Sequence, residues 1–430
     1  MELKDKKTKV KFYNGMRTIG GTYIEISYED SRIIFDFGAE YHPELERQPN
    51  NLQDILDCKL VPYIGNIFDH RIELIGYPKV KDGFTRTAVF LSHVHLDHSS
   101  MINFLDDSIN LYTSNETKKL LEGLNIHRDF LFDNPNVGRD VRSINGVNFG
   151  DTIKVGDIEV ALVAVDHDAY GACGMIINTP DYRIAYTGDI RLHGYRKADS
   201  LEFCKLAQGC DMLISEGVSV SFSDFEDPIG PDQFESEKAL LDAIEVIMEE
   251  NPNRQMCFNY YISNIERILS IINKSKRQVV LEAYYAYVLK HVTGKDVLFY
   301  RMDSEDYGLN RDMEVDIDTL VKDEGKYFWQ LTEGAMKYIG ELPDNCIYLH
   351  LDAQPLGDFD PAYKIFVKEF TDNCIEFRRM SCSGHAYPRD LLKIIDTVKP
   401  KLLVPIHSQK PEKLYNISGE TILPSKNEII

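Results

Sequence analysis

The sequence predicts an α/β protein in which a second domain is inserted into a strand-rich first domain. Up to Glu216, segments rich in Ile, Val, Tyr and Phe are bounded by Gly, Asp and Asn, which is typical of β-strands. Beyond that residue, helix-like and strand-like segments alternate, which is typical of a parallel sheet covered by helices. The chain has 430 residues, more than one hydrophobic core usually supports, so two domains are expected.

The first part of the chain is predicted to be mostly strands. Helical stretches lie between some of them, for example around residues 116–124. The predicted strands span residues 21–28, 32–37, 86–92, 158–165, 175–178, 183–187 and 211–215.

The middle of the chain alternates between the two periodicities. Residues 234–250 place their apolar side chains on one face of a helix. The pattern Ser263-x-x-Glu266 resembles a capping box and predicts that another helix begins there, with Ser263 as its N-cap. After about residue 375 a strand, a helix over 389–398 and a strand over 401–406 follow. We therefore predict a first domain over 1–217, an insertion over 218–375 and a return to the first domain over 376–430.

Composition limits the classes of function and the compartment. Lys and Arg total 48 against 69 Asp and Glu, a net charge of −21, which argues against a long non-specific surface for nucleic acid. It does not exclude a nuclease, because the charge of bound metal ions dominates locally. The eight cysteines are scattered, no apolar run approaches the ~20 residues of a membrane span, and residues 1–7 lack a signal-like stretch. These features predict a cytoplasmic protein without a membrane partner.

A dense group of potential metal ligands follows the strand predicted over 86–92. His93, His95 and Asp97 alternate, so an extended backbone projects them to one side. His98 is adjacent and points away from Asp97, which lets one short loop serve two metal centres. Zinc accepts imidazole and carboxylate ligands, and a catalytic zinc keeps one position for water. We predict a zinc site here; the alternative is a polar surface loop.

Three later residues of ligand type stand at or near the ends of predicted strands. They are His167, Asp189 and His407. Each alone could be a satisfied core or capping residue, but their presence in the same chain as the first group favours a ligand role. The carboxylate of Asp189 is the natural bridge between two ions.

These segments resemble, in order, the motifs of the metallo-β-lactamase superfamily, the first of which lies at Asp36. Glu216, His385 and His407 resemble the three additional motifs of its β-CASP branch, which includes ribonuclease J. The resemblance covers nearly the whole chain. It implies a metallo-β-lactamase αββα sandwich that carries an inserted β-CASP α/β domain.

The resemblance also implies a cofactor and a ligand set. Two zinc ions per chain are expected, with manganese as an alternative at the second site. The first ion would be bound by His93, His95 and His167, and the second by Asp97, His98 and His407, with Asp189 bridging them.

The remaining site residues are assigned by the same resemblance. His385 would be the catalytic histidine that protonates the leaving oxygen, Glu216 would orient it, and Asp97 belongs to the catalytic group through its metal. Asp36 would orient the metal ligands without binding the metal itself. Basic residues also cluster near these motifs, and for that reason, not from the resemblance, Arg191 is expected to contact substrate phosphates together with Ser383. The alternative is a solvated surface.

The predicted function is a zinc-dependent phosphodiesterase that cleaves RNA, or single-stranded DNA, by metal-activated hydroxide with a histidine as general acid. The alternative is a two-zinc hydrolase of a small ester, thioester or lactam. The net charge of −21 favours that alternative, but it gives no role to Glu216, His385 or the insertion. The preference for RNA or DNA, the endo- or exonucleolytic mode and homodimer formation are left open by the sequence.

Overall fold

The computed structural model describes residues 6–40, 42, 45, 49–80, 82–137 and 141–430. Residues 1–5, which belong to the N-terminal stretch used in the cytoplasmic prediction, lie outside this part. Among the described residues, no helix is both long and apolar enough to cross a membrane.

The strands occur in the following order along the chain: β1 (Lys9–Asn14), β2 (Tyr23–Tyr28), β3 (Ser31–Phe35), β4 (Arg86–Phe90), β5 (Asn110–Ser114), β6 (Asn145–Val147), β7 (Thr152–Val155), β8 (Ile158–Ala164), β9 (Cys173–Asn178), β10 (Arg183–Tyr186), β11 (Met212–Glu216), β12 (Met256–Tyr260), β13 (Gln278–Glu282), β14 (Leu298–Tyr300), β15 (Tyr327–Gln330), β16 (Ile347–Leu351), β17 (Glu376–Arg379), β18 (Leu402–Ile406), β19 (Glu420–Thr421) and β20 (Glu428–Ile429). The helices are α1 (Leu52–Asp57), α2 (Leu96–Ser99), α3 (Asn115–Leu124), α4 (Lys197–Leu206), α5 (Glu237–Glu250), α6 (Ile265–Lys274), α7 (Ala283–Thr293), α8 (Ile317–Val321), α9 (Pro361–Asp372) and α10 (Pro388–Val398).

The chain divides into two compact units. The first unit comprises the residues up to 192, 196–227 and 384–430, and the second comprises 193–195 and 228–383. Of the predicted insertion, residues 228–375 belong to the second unit and residues 218–227 to the first.

The first unit is a sandwich of two seven-stranded sheets, ordered β20-β1-β2-β3-β4-β5-β6 and β19-β18-β11-β10-β9-β8-β7. Alternation along the strands separates two hydrophobic layers. In β11, Met212 and Ile214 belong to the core shared by both sheets, whereas Leu213 packs with side chains of α4 and α10 on the outer face. On the other sheet, α3 packs against β5 and β6. The predicted αββα architecture is confirmed.

The second unit contains a six-stranded sheet, ordered β14-β13-β15-β12-β16-β17, in which every described pair is parallel. All five residues of β16 are buried, as expected for a parallel strand that is covered on both faces. The predicted capping residue of α6 is wrong by one position. Asn264, not Ser263, is the N-cap, and its side chain accepts a hydrogen bond from the Arg267 amide at 3.1 Å. Asn and Ser are about equally good N-caps, so local sequence alone does not discriminate between them.

Candidate active site

The first unit brings the seven predicted metal ligands together at the ends of its strands. His93 lies three residues after β4, His167 follows β8, Asp189 follows β10 and His407 follows β18 directly. The side chains of His93, His98, His167, Asp189 and His407 are at most 2% exposed. Residues that are far apart in sequence therefore meet inside the sandwich, where the strands hold them.

The carboxylate of Asp189 lies at the centre of this cluster. Its Oδ2 is 3.6 Å from His93 Nε2 and 3.7 Å from His167 Nε2. It is also 3.4 Å from His98 Nε2 and 3.7 Å from His407 Nε2. These distances are longer than ordinary hydrogen bonds. They approach the ~3.3 Å that separates two ligands of one tetrahedral zinc with bonds of about 2.0–2.1 Å.

The polar atoms at the centre fit metal ions better than they fit one another. Nε2 of His93, His98 and His407 and Oδ1 of Asp189 are buried and make no hydrogen bond. Each such atom costs about 1–3 kcal/mol unless something binds it. The candidate ligand atoms form two main groups, in each of which they lie within 4.8 Å of one another: His93, His95, His167 and Asp189 in one, and Asp97, His98 and His407 in the other. Asp189 Oδ2 lies next to both groups of candidate ligands.

The electrostatics of the cluster favour ligands in their metal-binding forms. Burial lowers the pKa of His93, and burial likewise lowers that of His167 to about 3. Burial alone would raise the pKa of Asp189, but His407 and His98 hold it well below its usual value. His98 is the exception, since Asp97 and Asp189 raise its pKa although burial acts against them. A bound cation would replace that proton.

Hydrogen bonds behind the ligands fix the tautomers of three histidines. His98 Nδ1 donates to Asp36 Oδ2 at 2.9 Å. The Ser92 hydroxyl gives its only hydrogen to Asp36 Oδ1, so it accepts from His93 Nδ1, 2.9 Å away. His167 Nδ1 donates to the carbonyl oxygen of Gly384 at 2.6 Å. In its neutral form each ring therefore keeps the lone pair of Nε2 towards the centre. This geometry is the one expected for the predicted supporting role of Asp36.

His407 is held in a different way. The backbone amide of Gly20 donates to His407 Nδ1 at 3.0 Å, so a neutral ring carries its proton on Nε2. Nε2 is also the atom nearest to Asp97 and Asp189. Metal binding at this atom therefore requires that the proton leaves.

His385 and Glu216 stand beside the cluster. Glu216 ends β11, is buried, and its Oε1 lies 3.4 Å from His385 Nδ1 while its Oε2 accepts from the Val218 amide at 2.9 Å. His385 Nδ1 is also 3.7 Å from Asp189 Oδ2. Burial alone would lower the pKa of His385, but the carboxylates of Glu216 and Asp189 raise it to about 9. The positive charge of bound ions acts in the opposite direction.

The two residues expected to contact phosphates have other surroundings. The Arg191 side chain is buried, its Nε donates to Asp166 Oδ1 at 3.1 Å, and one terminal nitrogen lies 3.4 Å from the His167 carbonyl oxygen. A phosphate contact does not fit this geometry, because the guanidinium is turned into the protein. Ser383 belongs to the second unit, where its carbonyl oxygen accepts from His193 Nε2 at 2.8 Å. Its phosphate contact stays a prediction.

Sequence reasoning missed the acidic neighbours of His167. Asp166 pairs with Arg191, and Asp168 lies 3.3 Å from His167 Nε2 and 3.6 Å from His95 Nε2. The available signal was their residue type next to a predicted ligand. Tyr186 was also missed; its hydroxyl donates to Asp36 Oδ2. No local pattern marks this tyrosine, because its partner is 150 residues away.

Comparison with known proteins identifies the family. Residues 77–225 match the model of a beta-lactamase superfamily domain, and residues 375–415 match that of a Zn-dependent metallo-hydrolase RNA specificity domain. The two matches flank most of the second unit in the sequence. The chain belongs to the β-CASP branch of the metallo-β-lactamase superfamily.

Relatives of this β-CASP protein extend over most of its length. It is 23% identical to Ribonuclease J of Mycoplasma genitalium, over 98% of this chain and 72% of that protein. It is also 23% identical to Ribonuclease J 2 of Streptococcus pyogenes, over 92% of this chain and 68% of that protein. A crystal structure of an Enterococcus faecalis protein of unknown function matches with a TM-score of 0.92 and 46% identity, over 99% of both chains. The family and the relatives make this β-CASP protein a metal-dependent hydrolase.

Proposed function

We propose that this β-CASP protein is a two-zinc ribonuclease that hydrolyses phosphodiester bonds of RNA. The observation that carries the proposal is the pair of His385 and Glu216 beside the metal cluster, with His385 Nδ1 3.4 Å from Glu216 Oε1. An ester or thioester with a good leaving group needs no acid of this kind, whereas the alkoxide that leaves a phosphodiester must be protonated. Relatives named Ribonuclease J support RNA as the substrate.

The metal ions would be held by the two ligand groups. The first would take His93, His95 and His167, the second Asp97, His98 and His407, and Asp189 would serve both. When bound, such ions stabilise negative charge on phosphoryl oxygens and lower the pKa of water to near 7. The imidazole-rich composition favours zinc, and the carboxylate of Asp97 in the second group is also a suitable ligand for manganese.

The protein's own residues would orient the substrate and move one proton. Glu216 holds His385 through Nδ1, which leaves Nε2 to donate a proton to the leaving oxygen. Assistance of this kind is typically worth about 10²–10⁴-fold in rate. His385 Nδ1 also lies close to Asp189 and His407, a grouping that a metal could use. The experiment must therefore separate an acid from a ligand.

A direct test compares substrates and metals. Chelator-treated protein is reconstituted with zinc or manganese and incubated with labelled RNA, single-stranded DNA of the same sequence, and ester, thioester and lactam substrates. We expect two transition-metal ions per chain by elemental analysis and cleavage of RNA above DNA. A protein with one ion or fewer after reconstitution contradicts the two-metal site. Rapid ester turnover without RNA cleavage favours the alternative hydrolase instead.

A matched pair of variants tests the role of His385. His385→Ala should keep both ions and lose RNA cleavage, whereas His127→Ala, which removes an exposed histidine of the same unit, should leave both unchanged. If His385→Ala loses an ion, the histidine is a ligand and the acid role is wrong.

A further inference from the structure

Asp168 is an additional carboxylate at the edge of the first ligand group. It follows His167 directly, and its side chain is 15% exposed. Its Oδ1 lies 3.3 Å from His167 Nε2 and 3.6 Å from His95 Nε2. The group formed by His93, His95, His167 and Asp189 does not include Asp168. The Asp168 carboxylate therefore lies beside this group, near His95 and His167, without being part of it.

The orientation of the His95 ring determines which of its nitrogens faces Asp168. His95 Nδ1 is 3.1 Å from His167 Nε2, so Nδ1 is the nitrogen that faces the other ligands. Nε2 faces Asp168. A neutral imidazole carries one hydrogen, and an ionised carboxylate can only accept. The 3.6 Å between Nε2 and Asp168 Oδ1 is longer than an ordinary hydrogen bond, so the carboxylate acts through its charge. With an ion at Nδ1, this charge stabilises the His95 tautomer that carries its hydrogen on Nε2, the reverse of the other two histidines of this group. His167 keeps its hydrogen on Nδ1, because the Gly384 carbonyl oxygen accepts it.

The surroundings keep the Asp168 carboxylate in place. A Cβ atom added at Gly384 would lie 2.3 Å from Asp168 Oδ1, so only glycine at this position lets the carboxylate approach. The carbonyl oxygen of the same glycine accepts the hydrogen bond from His167 Nδ1. Asp168 and Gly384 therefore hold two neighbouring ligands, His95 and His167, through adjacent contacts.

We infer that Asp168 is a positioning residue for the first metal ion: it holds His95 so that Nδ1, not Nε2, binds the ion. The inference rests on the metal site of the proposed function. It assigns Asp168 no contact with substrate. Residues that orient a metal-binding histidine typically change metal affinity by about 10–100-fold when they are removed.

The test measures metal affinity and the His95 tautomer separately. Asp168→Ala should weaken binding of the first zinc ion about 10–100-fold in competition with a chromophoric chelator. Asp168→Asn should weaken it less, because the partial negative charge of the amide oxygen still attracts the hydrogen on Nε2. Asp157→Asn, which removes an exposed carboxylate from the same unit, is the matched control for net charge and should bind like the wild type. In zinc-loaded protein, ¹⁵N NMR should show the His95 hydrogen on Nε2 in the wild type and a mixture of tautomers in Asp168→Ala.

The outcomes distinguish this inference from the proposed function. If the wild type binds two ions and Asp168→Ala binds them equally well, the inference is overturned and the proposed function stands. If cobalt-substituted Asp168→Asn changes coordination number in its visible spectrum, Asp168 is a ligand and the positioning role is wrong. A wild type that binds no metal overturns both. If Asp168→Ala does not fold, the affinity and the spectrum of Asp168→Asn decide the question.

Discussion

Replacing Asp36 by Asn should weaken binding of the second metal ion, because the change alters the tautomer of His98. Both oxygens of Asp36 are occupied: Oδ1 accepts from the amide and hydroxyl of Ser92 at 2.8 and 2.9 Å, and Oδ2 accepts from His98 Nδ1 at 2.9 Å and from the Tyr186 hydroxyl. The side chain is fully buried. Its backbone has a φ of 62°, which Asn tolerates as well as Asp does, so Asp36→Asn adds no backbone strain.

The amide has one favourable orientation. Its oxygen must face Ser92, because the Ser92 amide can only donate. The NH₂ group of the new asparagine then faces His98 Nδ1. Because this group can only donate a hydrogen bond, Nδ1 must carry a lone pair to accept it. The hydrogen of His98 moves to Nε2, the atom 3.4 Å from Asp189 Oδ2 that would bind the second ion. An Asp→Asn change beside a serine-protease histidine acts through the same wrong tautomer.

The size of the effect follows from the lost interaction. A hydrogen bond to a charged group contributes about 1.5–3 kcal/mol. The affinity for the second ion should therefore fall about 10–100-fold, while the first ion is retained. Competition with a chromophoric chelator measures both sites. Asp30→Asn is the control, since Asp30 is part-exposed and binds Arg86 and Thr85 away from the ligand cluster. Unchanged affinity for the second ion in Asp36→Asn would refute the reasoning.

Three further predictions follow from the same site. His407→Ala should lose the second ion and unfold at a lower temperature, because ligand binding stabilises the fold; retention of two ions would contradict its role. His385→Ala should cleave RNA about 10²–10⁴-fold more slowly yet keep much of its activity on a nitrophenyl phosphodiester, whose leaving group needs no proton. Equal losses on both substrates would show that His385 is not the acid. The logarithm of RNA affinity should fall with the logarithm of salt with a slope of about −2 to −4; a much steeper slope would indicate an extended basic surface.

The first group of candidate ligands could be recognised because its information is local. The alternation of His93, His95 and Asp97 after an apolar strand is visible in six residues, and the structure brings those side chains to the same centre as Asp189. The parallel sheet of the second unit was predictable for a similar reason, since alternating periodicities mark βα units. In both cases each residue's role depends on its immediate neighbours in the sequence.

The wrong details depend on partners that are distant in sequence. Arg191 was expected at substrate phosphates because it follows a predicted ligand, but it is buried against Asp166, 25 residues earlier. The N-cap of α6 was predicted one residue too early, because Ser263 and Asn264 are about equally good N-caps and the backbone geometry at the turn selects Asn264. A charged or capping side chain can serve several roles, and only the fold selects one.

The same argument explains why the tautomers could not be predicted even though the grouping of the candidate ligands could. The hydrogen-bond partner of each ring determines which nitrogen carries the hydrogen. That partner is Asp36 for His98, 62 residues away in the sequence, and the Gly384 carbonyl for His167, 217 residues away. His407 meets a donor, the Gly20 amide, where the other rings meet acceptors. Two histidines that are both candidate metal ligands can thus differ in which ring nitrogen carries the hydrogen. The motif indicates where a metal ion would bind, and the hydrogen-bond partners of each histidine determine how readily that histidine could bind it.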